Sequence, residues 1–238
     1  MLKTRLKDLG QEETYSLFQD FEKMVLEKNK VMNLTAITDP EEFEIKHFLD
    51  SLSLMDLEEV RGAKRILDLG TGPGFPGIPL RIISKADQVD LMDSLNKRVV
   101  FLNEAIKDLG LENCKTIHGR AEEMANKEEY REKYDLVVSR AVANLATLAE
   151  YCLAFVEPGG YMVAMKGPGI EEEVAQGELA IEEMGGRLVN ILSVDLGEDL
   201  DHNLVLIEKL KKTPKGYPRA GGKPRKSPLG QWFYWFIS

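Results

Sequence analysis

Apolar residues recur at helical spacing in the first part of the chain and predict two helical stretches. The first covers residues 1 to about 30, where the apolar stripe has the period of an amphipathic helix. The stripe consists of Leu6, Leu9, Leu17, Phe18, Phe21, Val25 and Leu26. Asn33-Leu34-Thr35 ends this helix, and Asp39-Pro40 begins the second, because aspartate is a favoured N-cap and proline a favoured first helical residue. Residues 1–62 are therefore predicted to form an N-terminal helical region.

From Ala63 onward, short apolar strands alternate with helical segments. The predicted strands are Arg65–Gly70, Val89–Asp93, Lys115–His118, Tyr134–Ser139, Tyr161–Lys166, Leu188–Val194 and Asn203–Leu210. Such alternation is typical of a parallel, doubly wound sheet with right-handed crossovers. The last two strands have only a polar loop between them, so we expect them to pair antiparallel as a hairpin. Residues 63–210 are therefore predicted to be an α/β domain with a mostly parallel seven-stranded sheet and an antiparallel terminal hairpin.

Charge is unevenly distributed along the chain. The net charge of −9 over 238 residues argues at first against a nucleic-acid partner. Residues 209–228, however, contain no acidic residue and eight basic ones, namely Lys209, Lys211, Lys212, Lys215, Arg219, Lys223, Arg225 and Lys226. A basic segment on an acidic body indicates polyanion binding, with a solvated, disordered tail as the alternative. Residues 211–238 are therefore predicted to be a basic, Pro/Gly-rich tail without a core, and no function follows for its aromatic end, Trp232–Ile237.

Several classes of protein are disfavoured by the composition. No apolar run approaches the ~20 residues that span a bilayer, and the charged N-terminus lacks the apolar segment of a signal peptide. Cys114 and Cys152 have no metal or disulfide spacing, and the three histidines are scattered. We therefore expect a cytoplasmic protein without metal or membrane contacts, and we take it to be a monomer.

A glycine-rich turn follows the first predicted strand and leads into a helix. Its glycines are Gly70, Gly72, Gly74 and Gly77. Because glycine has no side chain, a nucleotide-like ligand can lie against the backbone of such a turn. The last three glycines satisfy the dinucleotide pattern G-x-G-x-x-G, and Asp90 or Asp93 lies near the place of a ribose-binding acid. A nicotinamide dinucleotide is therefore one candidate ligand.

Three features of the same region favour S-adenosylmethionine instead. Asp68 at the strand end and the first three glycines are evenly spaced, as Asp-x-Gly-x-Gly-x-Gly. Pro76 and Pro79 stiffen the start of the next helix and remove backbone donors that a pyrophosphate would need. The predicted terminal hairpin also departs from a plain dinucleotide-binding fold.

Further candidate residues lie at the ends of later strands, where a doubly wound sheet binds its ligand. Asp93 ends the second strand and can accept hydrogen bonds from both ribose hydroxyls, or cap the next helix. Glu122 follows the third strand and can accept from the adenine amine, or be an ordinary helix-start glutamate. Arg140 follows the fourth strand as a candidate positioning residue, with a structural ion pair as the alternative. Lys166 ends the fifth strand and is a candidate contact to a phosphate group.

The run from Ile66 to Pro79, which contains Gly-Phe-Pro-Gly-Ile-Pro, belongs to a wider set of motifs. The others are Asn33-Leu34-Thr35-Ala36-Ile37, His47-Phe48-Leu49-Asp50-Ser51, Asp93-Ser94-Leu95-Asn96-Lys97-Arg98, Gly119-Arg120-Ala121-Glu122, Ser139-Arg140-Ala141-Val142-Ala143 and Tyr217-Pro218-Arg219. Together these motifs are far more specific than the glycine turn alone, and they extend over most of the chain. Through them the chain resembles the glucose-inhibited division protein B family of bacterial 16S rRNA guanine-N7 methyltransferases.

The resemblance implies a class I, Rossmann-like S-adenosylmethionine-dependent methyltransferase with N-terminal helices. The implied reaction is methylation of N7 of guanine 527, in the small ribosomal subunit or in naked 16S rRNA. By position, the family's cofactor contacts fall on Gly70, Phe75, Ala121, Glu122 and Arg140. The physical argument adds Gly72 and Asp93, and the ring of Phe75 is expected to wall the methyl-donor pocket.

The RNA-binding candidates combine one strand end with the basic tail. They are Lys166, Lys211, Lys212, Arg219, Lys223, Arg225 and Lys226. The tail departs from the family at Ala220, where another basic residue is usual, and the aromatic end has no counterpart in the family.

The chemistry of the implied target explains why the enzyme needs no general base. Guanine N7 has a free lone pair on the major-groove edge, so its methylation requires no general base. We expect catalysis by holding N7, the methyl carbon and the sulfur in line, with Arg140 bound to the methionine carboxylate or to guanine O6. The alternatives are a small-molecule methyltransferase, a nicotinamide-dependent oxidoreductase and a non-catalytic RNA-binding assembly factor.

Overall fold

The computed structural model describes residues 1–140, 143–197 and 201–230, so Trp232–Ile237 lies outside the described residues. The described chain divides into two units. Unit 1 contains residues 1–118 and 196–197, and unit 2 contains the remaining described residues from 119 onward.

Unit 1 begins with two helices where the apolar stripe predicted one. They are α1 (Leu2–Asp8) and α2 (Tyr15–Met32), separated by a 3-10 turn at Glu12–Thr14. The prediction of a single helix was wrong because Gly10, with φ +65°, ends α1 in a left-handed conformation that glycine adopts without steric cost. The stripe nevertheless contributes to the core through Leu6, Phe18, Phe21 and Val25.

The second helical stretch begins where the sequence predicts it. Asp39 Oδ1 accepts hydrogen bonds from the N–H groups of Glu41 and Glu42, both at 3.0 Å, and Pro40 is the first helical residue. Beyond this first turn the stretch changes helical type several times. Its parts are α3 (Pro40–Phe43), a π-helical turn (Glu44–Leu49), α4 (Asp50–Leu52), a 3-10 turn (Ser53–Asp56) and α5 (Glu58–Gly62).

The remainder of unit 1 is a parallel sheet segment with two connecting helices. Its strands are β1 (Arg65–Leu69), β2 (Gln88–Asp93) and β3 (Cys114–His118). β2 pairs in parallel with both β1 and β3. The connections contain α6 (Gly77–Ile83) and α7 (Asn96–Asp108), and Gly110 follows α7 with φ +63°.

Unit 2 contains the other four predicted strands. They are β4 (Tyr134–Arg140), β5 (Val156–Lys166), β6 (Gly186–Val194) and β7 (His202–Lys209). Its helices are α8 (Ala121–Met124), α9 (Leu145–Cys152), α10 (Glu171–Glu183) and α11 (Lys223–Lys226). β4 and β5 are parallel, whereas β7 runs antiparallel to β5 and β6. The predicted antiparallel hairpin is therefore confirmed.

The seven strands belong to one mixed sheet in the order β3-β2-β1-β4-β5-β7-β6. This order confirms the predicted Rossmann-like α/β fold. Among the helices of the described residues, none combines the length and the hydropathy needed to span a membrane.

The basic tail is folded into unit 2, and the prediction that it lacks a core was wrong. Thr213 is buried, and so are three of the tail's prolines, Pro218, Pro224 and Pro228. The Arg131 guanidinium donates to the carbonyls of Thr213 at 3.1 Å and Tyr217 at 2.8 Å. These partners are more than 80 residues apart in sequence, so composition alone does not reveal them.

Candidate active site

The backbone N–H groups in the first half of the glycine turn form hydrogen bonds with the end of β2. The N–H groups of Gly70 and Thr71 both donate to the carbonyl of Met92, at 2.9 and 3.1 Å. The N–H of Gly72 donates to Asp93 Oδ2 at 3.0 Å. The end of β2 therefore holds this half of the turn in place.

The second half of the turn is satisfied in the same way. Gly74 and Phe75 donate to the carbonyl of Thr71, both at 3.0 Å, and Gly77 donates to Asp68 Oδ2 at 2.7 Å. The two prolines within the turn, Pro73 and Pro76, have no backbone N–H. Every backbone N–H of the turn is thus occupied, and none remains for the pyrophosphate of a dinucleotide.

The glycines of the turn differ in what surrounds them. A Cβ on Gly74 would lie 2.8 Å from Ile78 Cγ1 and 2.9 Å from Phe21 Cζ, and one on Gly77 would lie 2.2 Å from Leu91 Cδ2. A Cβ on Gly72 would meet no atom within 4 Å. Gly74 and Gly77 are therefore required for packing, whereas Gly72 faces open space in which a ligand can lie.

Asp93 is buried at the end of β2 and already accepts three hydrogen bonds. Its Oδ1 accepts from the N–H of Leu95 at 2.8 Å, and its Oδ2 accepts from Gly72 and from Arg98 at 3.1 Å. The carboxylate makes no side-chain cap on α7, whose N-cap is Leu95. A carboxylate has about four lone-pair sites, so about one remains open for a ligand.

The other acid considered for ribose is placed differently. Asp90 is fully buried, and both of its oxygens accept from Gln88 Nε2, at 2.7 and 3.0 Å. Asp93 is therefore the better candidate of the two.

The Phe75 ring lies in an aromatic cluster of unit 1 and is only 2% exposed. It stacks on His47 with ring centroids 4.5 Å apart and packs against Phe21 at 5.2 Å and Phe43 at 5.8 Å. His47 in turn makes a 2.9 Å hydrogen bond between its Nε2 and Thr35 Oγ1. The ring thus links the turn to the N-terminal helices, and its place in the wall of the methyl-donor pocket stays a prediction.

In unit 2, Ala121 and Glu122 form the first turn of α8, directly after β3 in the chain. Glu122 is 7% exposed, yet no described residue donates to its carboxylate or pairs with it. A largely buried carboxylate without a partner is unfavourable unless a ligand supplies a donor. This carboxylate is therefore a suitable acceptor for an exocyclic amine.

Arg140 is the last residue of β4 and is half-buried, which is where the sequence places it. Lys166 ends β5, as predicted. Its ammonium pairs with Glu173 Oε1 at 2.6 Å and donates to the carbonyl of Ala143 at 2.8 Å. With its side chain only 12% exposed, Lys166 must leave this pair before it can bind a phosphate.

Two of the eight basic residues in the segment 209–228 form hydrogen bonds or ion pairs inside unit 2. Arg219 makes a bidentate pair with the fully buried Glu150, at 3.0 Å from Nε to Oε1 and 2.7 Å from Nη2 to Oε2. Lys209 is also fully buried and donates to the carbonyls of Leu153 and Met184, at 2.6 and 2.8 Å. The predicted RNA contacts that remain exposed are Lys211, Lys212, Lys223, Arg225 and Lys226.

Sequence reasoning missed the residues that hold the tail. Glu150 is the most informative, because it is the one charged residue in the mostly apolar run Leu145–Leu153. A single acid in an apolar helix indicates a buried ion pair. Its partner, 69 residues away, could not be identified from that signal.

Two further features of the described residues concern possible binding sites. A groove of about 780 Å³ lies between α10 and β6, and Lys211 is the only predicted site residue in its lining. Within the part of the chain that the structure describes, no group of three or more His, Cys, Asp and Glu side chains is placed to hold a metal ion.

Comparison with protein families gives a match over most of the chain. The sequence model described as rRNA small subunit methyltransferase G matches residues 14–205. The ribosomal RNA small subunit methyltransferase G of Clostridium tetani (strain Massachusetts / E88) is 48% identical over 233 residues, which cover 96% of this chain and 98% of the relative. That of Clostridium novyi (strain NT) is 49% identical over 216 residues, covering 90% and 89%.

Solved structures share the fold at low sequence identity. An O-methyltransferase from Bacillus cereus in complex with SAH has a TM-score of 0.58 and is 18% identical, with 80% of this chain and 91% of that chain covered. M. jannaschii TYW2 in complex with AdoMet has a TM-score of 0.53 and is 16% identical, with coverage of 74% and 79%. These likenesses support the α/β fold, while the family and the relatives support the function. The chain belongs to the rRNA small subunit methyltransferase G family, enzymes that methylate the RNA of the small ribosomal subunit.

Proposed function

We propose that this chain transfers the methyl group of S-adenosylmethionine to N7 of guanine 527 in 16S rRNA, acting as a monomer in the cytoplasm. The observation that carries the proposal is family membership over nearly the whole chain. The glycine turn adds physical support, because its occupied N–H groups suit a cofactor without a pyrophosphate.

In unit 1, Gly70 and Gly72 leave room for the cofactor and Asp93 accepts from its ribose. The open space at Gly72 and the remaining acceptor site of Asp93 fit this role. A second ribose hydroxyl is accommodated when Arg98, which is 31% exposed, releases its contact with Asp93 Oδ2.

In unit 2, Glu122 accepts a hydrogen bond from the adenine amine. The backbone N–H of Ala121, for which the described residues supply no acceptor, donates to a ring nitrogen. A donor and an acceptor on consecutive residues match the pattern that an adenine edge presents.

The bound cofactor supplies an electrophilic methyl group, and the protein's task is to position the nucleophile. N7 attacks with its own lone pair, so no residue has to remove a proton. Arg140 orients the reactants through the methionine carboxylate or guanine O6. Well-oriented reactants can lower the barrier by roughly 7–11 kcal/mol.

The decisive experiment incubates the chain with labelled S-adenosylmethionine and, in parallel, with small ribosomal subunits, naked 16S rRNA or free nucleosides, followed by nucleoside mapping. We expect 7-methylguanosine at position 527 in one of the two RNA samples. Label at another nucleoside would contradict the proposed target, and label only in free nucleosides would favour a small-molecule methyltransferase.

Replacing Arg140 with alanine tests its proposed role. We expect a large fall in turnover with the fold intact, because Arg140 ends β4 and is proposed to orient the reactants. Lys133→Ala, at an exposed position directly before β4, is the charge-matched control and should methylate normally. Normal turnover of Arg140→Ala would rule out the positioning role.

A further inference from the structure

The groove of about 780 Å³ between α10 and β6 has a largely apolar lining in unit 2. Ile181 is buried in it, whereas Val174 and Leu188 are half-buried. Leu210, which follows β7 and is 51% exposed, also borders the groove. Binding pockets in proteins commonly have volumes of about 300–1,000 Å³, and exposed apolar surface of this kind marks interaction sites.

Charged side chains complete the lining and indicate which ligand it fits. Glu171, Glu178 and Glu182 are exposed along α10. Arg187 and Lys211 are exposed on the side of β6 and β7. The carboxylates outnumber the cations, which disfavours a polyanion such as RNA. The two cations can lie over the faces of aromatic rings, so the groove fits an uncharged, aromatic ligand.

The described chain ends beside this groove. A Cβ on Gly230 would lie 3.1 Å from the carbonyl oxygen of Gln176 and 3.5 Å from Leu179 Cβ, so Gly230 packs against α10. Leu179 is 41% exposed and is a helical neighbour of Ala175 and Glu182, which both line the groove. The last described residue therefore lies at the edge of the groove.

The residues that follow Gly230 have the composition that the groove fits. Residues 231–238 contain five consecutive aromatic residues, Trp232 to Phe236, followed by Ile237, and no Asp, Glu, Lys or Arg. Eight residues can extend over about 26–29 Å, whereas a helix with its side chains is about 10–12 Å wide. The segment is therefore long enough to reach the groove from Gly230, and a short tether gives a ligand a high effective concentration.

We propose that the aromatic segment Trp232–Ile237 binds in the groove between α10 and β6 of its own chain. Its aromatic side chains supply a large apolar area for the lining, and Arg187 and Lys211 lie over their rings. Lys211 is then covered by the segment and less accessible to RNA than the other exposed cations of the tail. The inference concerns the end of the chain and does not depend on the proposed reaction.

Tryptophan fluorescence tests the proposal, because the chain's two tryptophans, Trp232 and Trp235, both lie in the segment. The full chain is compared with Ala175→Glu and Leu210→Glu, which place a carboxylate in the groove at exposed positions. Val31→Glu, at an exposed position near the end of α2, is the matched control outside the groove. Circular dichroism and urea unfolding establish that each variant is folded.

The proposal predicts buried tryptophans in the wild-type chain. Their emission should lie at shorter wavelength than in the urea-unfolded chain, and acrylamide should quench them several-fold less. Ala175→Glu and Leu210→Glu should shift the emission towards that of the unfolded chain and raise the quenching constant several-fold. Val31→Glu should behave as the wild-type chain does.

Three results would overturn the proposal. Tryptophans that are as accessible in the folded wild-type chain as in the unfolded one would mean that the groove does not hold the segment. Burial that persists in both groove variants would place the segment elsewhere. Burial that disappears on dilution, with a matching fall in mass by light scattering, would give the groove to the segment of a second copy. No cofactor or RNA is present, so these outcomes are independent of the proposed function.

Discussion

The glycine turn of unit 1 and the basic tail of unit 2 are both rich in glycine and proline, yet they are held in opposite ways. The turn, Gly70–Gly77, is held by nearby elements, since its N–H groups bind Thr71, Met92 and two strand-end aspartates. The tail, residues 211–230, is held by side chains of Arg131, Thr147 and Glu150, which are 69 to 86 residues away in sequence. Similar composition can therefore encode a local turn or a segment ordered only by distant partners.

The largest expected effect comes from breaking the buried pair of the tail. Arg219→Met should lower the free energy of unfolding by about 3–5 kcal/mol, because it leaves the fully buried Glu150 carboxylate without its counter-ion. Urea unfolding measures the loss, and Lys215→Met at an exposed tail position should change stability by less than about 0.5 kcal/mol. Equal stability of the two variants would mean that the tail is not held by this pair.

The next effect concerns packing at the turn. Gly74→Ala should cost about 2–4 kcal/mol, because φ is +112° and the new Cβ would lie 2.8 Å from Ile78 Cγ1. Gly72→Ala, with φ +61° and open space, should cost about 1–2 kcal/mol.

Cofactor affinity distinguishes the two glycines further. Calorimetry should show that Gly72→Ala weakens S-adenosylmethionine binding more than Gly74→Ala does, although it is the more stable variant. The reverse order would mean that the open side of Gly72 does not face the cofactor.

A smaller effect is expected at the anchor of α11. Thr147→Val keeps the shape of the side chain but leaves the buried Pro224 carbonyl without a donor. We expect a loss of about 1–3 kcal/mol in thermal or urea unfolding. Thr147→Ser, which keeps the hydroxyl, is the matched control and should retain most of the stability; a loss as large as that of valine would discount the hydrogen bond.

The smallest effect, taken over a single pH unit, is the pH dependence of stability that Lys209 causes. Burial lowers the pKa of this lysine to about 7, and Glu132 partly opposes the shift. Between pH 7 and the ordinary lysine range near pH 10.5, the unfolded chain binds more protons than the folded one, so stability rises with pH. Relative to Lys209→Met, the wild-type chain should gain at most about 1.4 kcal/mol per pH unit in urea unfolding. Parallel curves for the two proteins would show that Lys209 keeps an ordinary pKa when folded.

Elements with a regular pattern were predicted well. All seven strands, the Asp39 cap and the terminal hairpin follow from apolar alternation, capping chemistry and the short polar connection. Gly10 was missed because the apolar stripe continues on both sides of it.

For the candidate site, the sequence predicted where the residues lie but not which side chains they contact. The positions of Asp93, Glu122 and Arg140 at the ends of successive strands follow from the alternation of strands and helices. Their partners do not, because Arg98 on Asp93 and the absence of a partner at Glu122 depend on how side chains meet in three dimensions.

By itself, the sequence determined the order of elements, the place of the glycine turn and the family, because these depend on local pattern and on motifs of adjacent residues. Only the tertiary structure decided that the Phe75 ring packs against helices, that Lys166 and Arg219 are ion-paired, and that the tail is folded. The physical reason is that burial and pairing depend on residues far apart in the chain, whose contacts form only when the sheet and its helices are assembled.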